Sequence, residues 1–578
     1  VSNDLRLLAE RSLWIVAGAI LFLSFGYTEM AGSDMWWHIA AGREILQTQT
    51  IWMVDDWSFT RHGADWLNHE WLSDVIYYAW VSAFGVESIV YWKWLVVIAT
   101  YGLLQLTLAR ATGSWTAGFL AAGIAVVIGA PFIDVRPHLY SLLNFSLLLF
   151  LLLGQRRAPT WLLALLFVVW VNLHGGFFFG LMALAILIFP WRDLSLGAFW
   201  GDDVFLTRFR SAFLLGVICV AAALLNPSGY ETFLYPLKYA FDTSSPFRGL
   251  GEWLPPFEPG GIVSPAFFVF MWAPLAAILY AVPAIRRDTG VPWEGILLTA
   301  LTLAMSLTSR RFIPIFGISL AVMLAPLFAW LLVRTRAEKF GVLLAAAALV
   351  FAIYRQSHYP LRAAPAFHYL TAEYSYPVDM MDLVALNGIQ GDVFAYYNWG
   401  GYLHWRTDGE LRVYIDGRAD TIYEADEYNK YVNVLRSDPN WLDIVNASGA
   451  DYFLWPLQIG SGHSKLQTLW NTGQWKLVYR DSVSYLLARN ETPVPERLTA
   501  ASNTATRDLT LAFDALSRND VVRANTHAVA AREKAPWHRT GCIVAMSSYE
   551  QMKNEGAVEQ TARDCYDEFP SRLYLRGK

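Results

Sequence analysis

Charge is scarce in this chain. Asp, Glu, Lys and Arg make up 16% of its 578 residues, where soluble domains carry about 25%. The formal net charge is −5, and no basic block interrupts it, so a nucleic-acid partner is excluded as a reading. Cysteine is nearly absent, at three residues, which rules out a disulfide scaffold or a Cys-based metal cluster. Cys219 falls in an apolar run and reads as packing. Cys542 and Cys565 lie near the C-terminus, free to pair if that region faces an oxidising compartment. No cleavable signal sequence is expected in the N-terminal apolar segment. The apolar segment after Leu13 runs on to Gly32-Ser33-Asp34 without a small-residue cleavage site, so it reads as a retained first span.

What the chain has in abundance is apolar sequence, 55% of it, with 26 Trp and 28 Tyr. The apolar residues gather in runs of about 16 to 23 residues, enough to cross a hydrocarbon core of roughly 30 Å. About eleven spans are expected: 13–30, 87–108, 115–131, 140–153, 160–173, 176–190, 211–226, 264–284, 292–307, 312–333 and 339–354. The aromatic residues suit the headgroup belts. Basic residues set the orientation. Arg6 and Arg11, Arg110, Arg156 with Arg157, the 192–210 connection, Arg286 with Arg287, and the 334–339 connection all fall on one side. That side is cytoplasmic by the positive-inside rule. The opposite side then receives 31–86, the turn 132–139, the turn 172–176, the loop 227–263, the turn 309–311 and everything after Tyr354. Arg310 and Arg311 break the rule, either as a tolerated pair or as the partners of an anionic ligand.

The first outer segment begins "GSDMWWHIAAGREIL" and reads as an amphipathic helix lying in the interface. A second such helix covers 68–84, and a polar stretch with Asp55, Asp56, His62 and Asp65 lies between them. Asp34 stands at the start of the first, where helix N–H groups favour a carboxylate. It is therefore either an N-cap or a reactive acid.

The order of a first span, Asp34 at its outer end, "WWHIAAGREIL", a polar stretch, "NHEWLSDVIYYAWVSAFG" and a further span resembles the GT-C superfamily of membrane glycosyltransferases. Protein O-mannosyltransferases, aminoarabinose transferases and oligosaccharyltransferases belong to it. The resemblance covers roughly residues 10–350 and rests on topology with a few residues. It implies a GT-C-like α-helical polytopic fold and inverting-type glycosyl transfer on the outer face of the membrane. The donor would be a sugar linked to a polyprenyl phosphate or diphosphate, and the acceptor a protein, lipid or glycan. Asp34 matches the family's acid after the first span, but Met35 stands where a second acid is common. Asp134, in "FIDVRPH", matches the acid of the second outer loop; a salt bridge to Arg136 or a helix cap is its alternative. The loop 227–263 matches a large outer loop in place and length.

These matches imply Asp34 and Asp134 as catalytic residues. Arg310, Arg311 and Arg248 are then the donor-phosphate ligands, since a guanidinium fork pairs with phosphate oxygens. His69 and Glu70 open the second amphipathic helix, where the family places residues near the donor, or are simply a solvated helix start. His174, in the turn 172–176, either faces the substrate cavity or caps that turn. Glycosyl transfer to a hydroxyl needs a base for the acceptor proton and cations for the departing phosphate. A cofactor is not required by the pattern, although Asp34, Asp134 and Glu70 together suit a divalent cation such as Mg or Mn. Two other readings stand beside this one. The absent second acid fits a catalytically silent scaffold or assembly subunit. A lipid-linked glycan transporter is the third, but neither internal repeats nor mid-span ionisable residues are evident.

The composition changes after Tyr354. Residues 1–354 form the expected transmembrane domain. An extracytoplasmic α/β domain is expected over 355–490, from the strand-like "GDVFAYY", "LRVYIDG", "DYFLWPL" and "WKLVYRDSVSYLLAR". Asp416-Gly417-Arg418 reads as a structural turn or a ligand contact. Residues 491–578 are expected as a linker and a short helical hairpin segment, similar to tetratricopeptide hairpins, that docks on the α/β domain or binds a protein partner. The whole is expected in the inner membrane, with the N-terminus cytoplasmic, and the sugar and acceptor are left open.

Overall fold

The computed structural model describes residues 3–26, 32, 34–154, 158–195, 202–241, 245–357, 376–496, 498, 504–536 and 539–568. Arg156 and Arg157, and part of the expected 491–505 linker, lie outside them. The chain divides into two compact units. One holds residues 1–28, 69–76 and 88–354; the other holds 29–68, 77–87 and 355–578.

The described residues of the first unit form helices joined by turns and loops. The expected spans overlap apolar helices, and among the described residues five of these are long and apolar enough to cross a membrane: Ile89–Thr112, Trp115–Phe132, Asp203–Ala222, Arg310–Arg334 and Ala337–Tyr354. Pro265–Ala281 and Pro283–Thr289, over the expected span 264–284, make a sixth if taken together, with a bend of 95° between them. Pro283 opens the second piece directly after Val282, and a proline cannot donate to the preceding turn. The remaining apolar helices, Arg11–Gly26, His138–Leu152, Thr160–Leu173, Phe177–Ile188 and Trp293–Thr308, have 10–17 residues. Asp203–Ala222 and Ala337–Tyr354 leave most of their apolar surface uncovered by protein, as a lipid-facing helix does. The chain is a multi-pass membrane protein.

Small residues bring the helices together. A Cβ on Gly118 would lie 2.7 Å from the Gln105 carbonyl oxygen, and one on Gly317 would lie 3.0 Å from that of Ala125. Helix Ile313–Arg334 thus packs backbone to backbone on Trp115–Gly129.

The second unit is built on a five-stranded sheet of order β4-β3-β5-β7-β6, after a two-stranded ribbon of β1 (Met53–Val54) and β2 (Asp65–Trp66). Strands β3 (Gly391–Ala395), β4 (Leu411–Val413) and β5 (Tyr452–Pro456) run parallel. β6 (Trp475–Arg480) and β7 (Ser484–Arg489) extend the sheet antiparallel. Every residue of β5 is buried, as a central strand covered on both faces requires. Its core is aromatic, with Phe394, Tyr414, Phe453 and Trp455 in mutual contact.

The first outer segment belongs to this unit. Ser58 bridges Val413 in parallel, Val413 N–H donates to the Trp57 carbonyl at 2.9 Å and Phe59 N–H to Val413 at 3.2 Å. The segment thereby covers the exposed edge of β4. Helix Asp34–Thr48 was expected to lie in the interface with one greasy face. Instead residues 35–42 are all buried, and the helix packs on Gly400–Thr407. The C-terminal residues form four helices, Ala505–Ser517, Val521–Lys534, Arg539–Gln551 and Glu555–Glu568, each packed on the next. A disulfide joins Cys542 to Cys565, with Cα atoms 6.1 Å apart.

Candidate functional site

Three helix–helix turns of the first unit meet at one end. They are 133–137 before helix His138–Leu152, 174–176 after Thr160–Leu173, and 309–312 after Trp293–Thr308. The start of helix Trp71–Phe84 is fixed beside the second turn. Trp71 Nε1 donates to Asn172 Oδ1 at 2.7 Å and Ser73 Oγ to the Leu173 carbonyl at 2.6 Å. Asn226 Nδ2 donates to the same Asn172 oxygen at 3.1 Å. This network sets Glu70 next to His174, with Glu70 Oε1 3.6 Å from His174 Nε2 and 3.8 Å from His69 Nε2.

The state of His174 follows from its partners. Its Nδ1 accepts from Gly176 N–H at 3.0 Å and lies 2.7 Å from Ser141 Oγ, which itself accepts from Trp170 Nε1 at 2.8 Å. Nδ1 is therefore an acceptor, and Nε2 faces Glu70. Burial, with Arg311 adding to it, holds the His174 pKa well below the ordinary value, so the ring is neutral. Arg311 Nη2 lies 3.3 Å from Nε2.

Arg311 and Arg136 both turn onto Glu252 of the loop 227–263. Arg136 Nη1 is 2.6 Å from Glu252 Oε2, and Arg311 Nη1 is 3.4 Å from Oε1. The Arg311 guanidinium also sits 4.7 Å above the Trp253 ring, a cation–π contact. Burial raises the Glu252 carboxyl, but Arg136 and Arg311 outweigh it and bring its pKa to about 2, so Glu252 is an anion at any physiological pH. The loop is tied down by backbone. Arg311 N–H donates to the Glu252 carbonyl at 3.2 Å, Arg310 N–H to that of Leu254 at 3.1 Å, and Ser309 Oγ to Glu252 at 3.1 Å.

Of the residues expected at the site, His69, Glu70, His174 and Arg311 lie in this cluster. Arg310 is buried and its guanidinium grips the loop, donating to the carbonyls of Pro255 and Glu258. Arg248 sits in the same loop on the short turn Pro246–Gly249. Asp134 belongs to the 133–137 turn; its Oδ1 accepts from Val135 N–H at 2.8 Å, and it interacts electrostatically with the buried Lys93. Asp34 is part of the second unit. It opens helix Asp34–Thr48, and a Cβ on Gly417 would come 3.6 Å from its Oδ1. Arg136 and Glu252 were not among the expected ligands. A signal for Arg136 existed, since it stands two residues from Asp134 in a short outer turn. Nothing local marks Glu252.

In the second unit Arg418 is sealed from solvent. It donates to Asp416 at 2.9–3.1 Å, to Asp55 at 2.6 Å and to Tyr423 Oη at 3.1 Å, and Trp57 and Trp66 cover its faces. All of its charge is thereby neutralised within the protein. Among the described residues no group of three or more His, Cys, Asp or Glu side chains is placed to hold a metal ion.

No protein-family model matches the chain, and no curated protein does. Among solved structures it is similar to the crystal structure of ArnT from Cupriavidus metallidurans bound to undecaprenyl phosphate, at 12% sequence identity and a TM-score of 0.49. The match covers 86% of this chain and 100% of that one.

Proposed function

We propose that this chain is an inverting glycosyltransferase of the GT-C type, moving a sugar from a polyprenyl-phosphate-linked donor to a hydroxyl acceptor on the outer face of the membrane. The observation that carries the reading is the convergence of Arg136 and Arg311 at one end of an apolar helical unit. Such a site suits a ligand with an anionic head and a long apolar tail. In the donor the phosphate is a diester with one negative charge. As the sugar leaves, the bond from its anomeric carbon to the phosphate oxygen breaks and the phosphate gains a second charge. Fixed guanidinium groups favour the product-like charge over the starting one, which lowers the barrier. Arg248 is a third cation for the same phosphate. Arg310, engaged with the loop carbonyls, supports the reading by holding Glu252 and Trp253 in position.

The acceptor hydroxyl attacks the anomeric carbon on the side opposite the phosphate and yields its proton to a carboxylate. Asp34 is proposed as that base and Asp134 as the second catalytic acid. Glu70, His69 and neutral His174 line the sugar. The acceptor is a protein, lipid or glycan presented on the same face. The test compares wild type with Asp34→Asn at matched expression, following labelled sugar from native polyprenyl-linked donors in membranes. A loss of at least about a hundredfold is expected, the usual size of a general-base contribution. Equal transfer by both removes Asp34 as the base and transfers the role to Asp134. No transfer by wild type defeats the enzyme reading in favour of the scaffold one.

A further inference from the structure

We infer that Glu252 is an exchangeable counter-anion, seated between Arg136 and Arg311 where the lipid phosphate binds, and released when that phosphate arrives. The inference rests on the reading above and adds to it a self-occupied state of the site. A carboxylate and a phosphate offer guanidinium groups the same paired oxygens, so one substitutes for the other on the same two partners. Glu252 already makes the contacts a phosphate would make, one oxygen to each arginine.

Three features separate this triad from a permanent ion pair. The first is access. The Arg136 and Arg311 side chains keep 23% and 30% of their surface exposed, whereas Arg418 and its two carboxylate partners keep 0%. The second is how Glu252 is attached. Its carbonyl oxygen is held by Arg311 N–H and Ser309 Oγ, independently of its carboxylate. The side chain can rotate out while the loop backbone stays in place. The third is charge. Glu252 cancels part of the positive charge that Arg136 and Arg311 offer an incoming phosphate. With the carboxylate still between them, the phosphate would meet a like charge at close range. Its release returns that positive charge to the phosphate, whose own charge rises once the sugar has left. The Trp253 ring over Arg311 holds that guanidinium in place through the exchange.

A site that occupies itself binds its ligand more weakly, by the fraction of time it is open. The experiment uses the full chain in phosphatidylcholine nanodiscs, titrated with undecaprenyl phosphate and, separately, with undecaprenol. Wild type, Glu252→Gln, Arg136→Gln and Arg311→Gln are compared. Wild type is expected to prefer the phosphate, and each arginine variant to lose that preference. Glu252→Gln is expected to bind the phosphate at least about tenfold tighter, with binding of the alcohol unchanged. Equal or weaker phosphate binding by Glu252→Gln, with the arginine dependence intact, overturns the exchange and leaves the phosphate site standing. No preference for the phosphate in any variant overturns both. A second measurement needs no variant. Carbodiimide labelling of Glu252 in wild type is expected to rise several-fold when undecaprenyl phosphate is added and not with undecaprenol. Unchanged or reduced labelling at saturating phosphate overturns the exchange.

Discussion

Arg418 illustrates what one residue contributes here. Burial by itself disfavours its charged form, yet Asp416, Tyr423 and Asp55 reverse that and raise its pKa well above the ordinary value. Substituting Arg418 by Met leaves two carboxylates sealed without a cation. Breaking a buried pair in that way costs about 3–5 kcal/mol, a large part of the stability of a typical domain. Thermal unfolding of the purified chain should therefore show a drop of several degrees for the transition of the second unit, and none for a substitution at the exposed Arg61–Glu424 pair, where the yield is about 0–1 kcal/mol. A shift no larger than that of the surface control would mean Arg418 is not holding the first outer segment to the sheet. The sequence marks half of this cluster. Asp416-Gly417-Arg418 reads as a turn at the end of a strand, which it is, but Asp55 lies 363 residues away from Arg418, and spacing carries no information at that range. Glu252 escapes for the same reason, being 116 positions from Arg136 along the chain. By contrast Arg311 breaks the charge rule in a short turn between two spans, and His69 and Glu70 open an amphipathic helix, so each is marked locally.

At the scale of elements, apolar runs translate into helices closely, because a segment in lipid must satisfy its own backbone. The span expected over 264–284 ends at a 95° bend before Pro283, whose ring cannot continue the hydrogen-bond ladder. The strands of the second unit are legible from their aromatic and β-branched runs. The packing of helix Asp34–Thr48 is not legible, since its apolar residues fit equally a membrane surface or a protein core. The contact that decides it is Gly401. A Cβ there would sit 2.8 Å from the Trp37 nitrogen and 2.7 Å from Trp37 Cβ. Gly401→Ala gains about 1 kcal/mol of helix propensity but forces two helices apart, an overpacking cost of about 1–3 kcal/mol. The clash should win, so Gly401→Ala is expected to unfold earlier than wild type. Gly102→Ala, which meets nothing within 4 Å, is the matched control and should melt no earlier. An earlier transition in both, or in neither, would deny the close approach.

For the whole molecule, compartment connects orientation with covalent structure. The orientation expected from the basic connections puts the residues after Tyr354 outside, and the proposed reaction needs the lipid-linked sugar on that same side. The disulfide between Cys542 and Cys565 bears on the same question by separate chemistry, because such bonds persist outside the reducing cytosol. The one remaining cysteine, Cys219, is buried and free, and so does not confound labelling of the native protein. Intact cells should give no reaction with a membrane-impermeant maleimide until a mild reductant is added, and then labelling at Cys542 and Cys565. Replacing both by Ser should abolish it. Removing the bridge costs about 3 kcal/mol in the chain-entropy account for a loop of this length, so the double variant should also lose the four-helix segment to protease before the sheet. Labelling that appears only after the membrane is broken, without any reductant, would put this segment in the cytosol. The acceptor side of the proposed transfer would then have to be sought on the opposite face, and Arg310 with Arg311 would no longer break the charge rule.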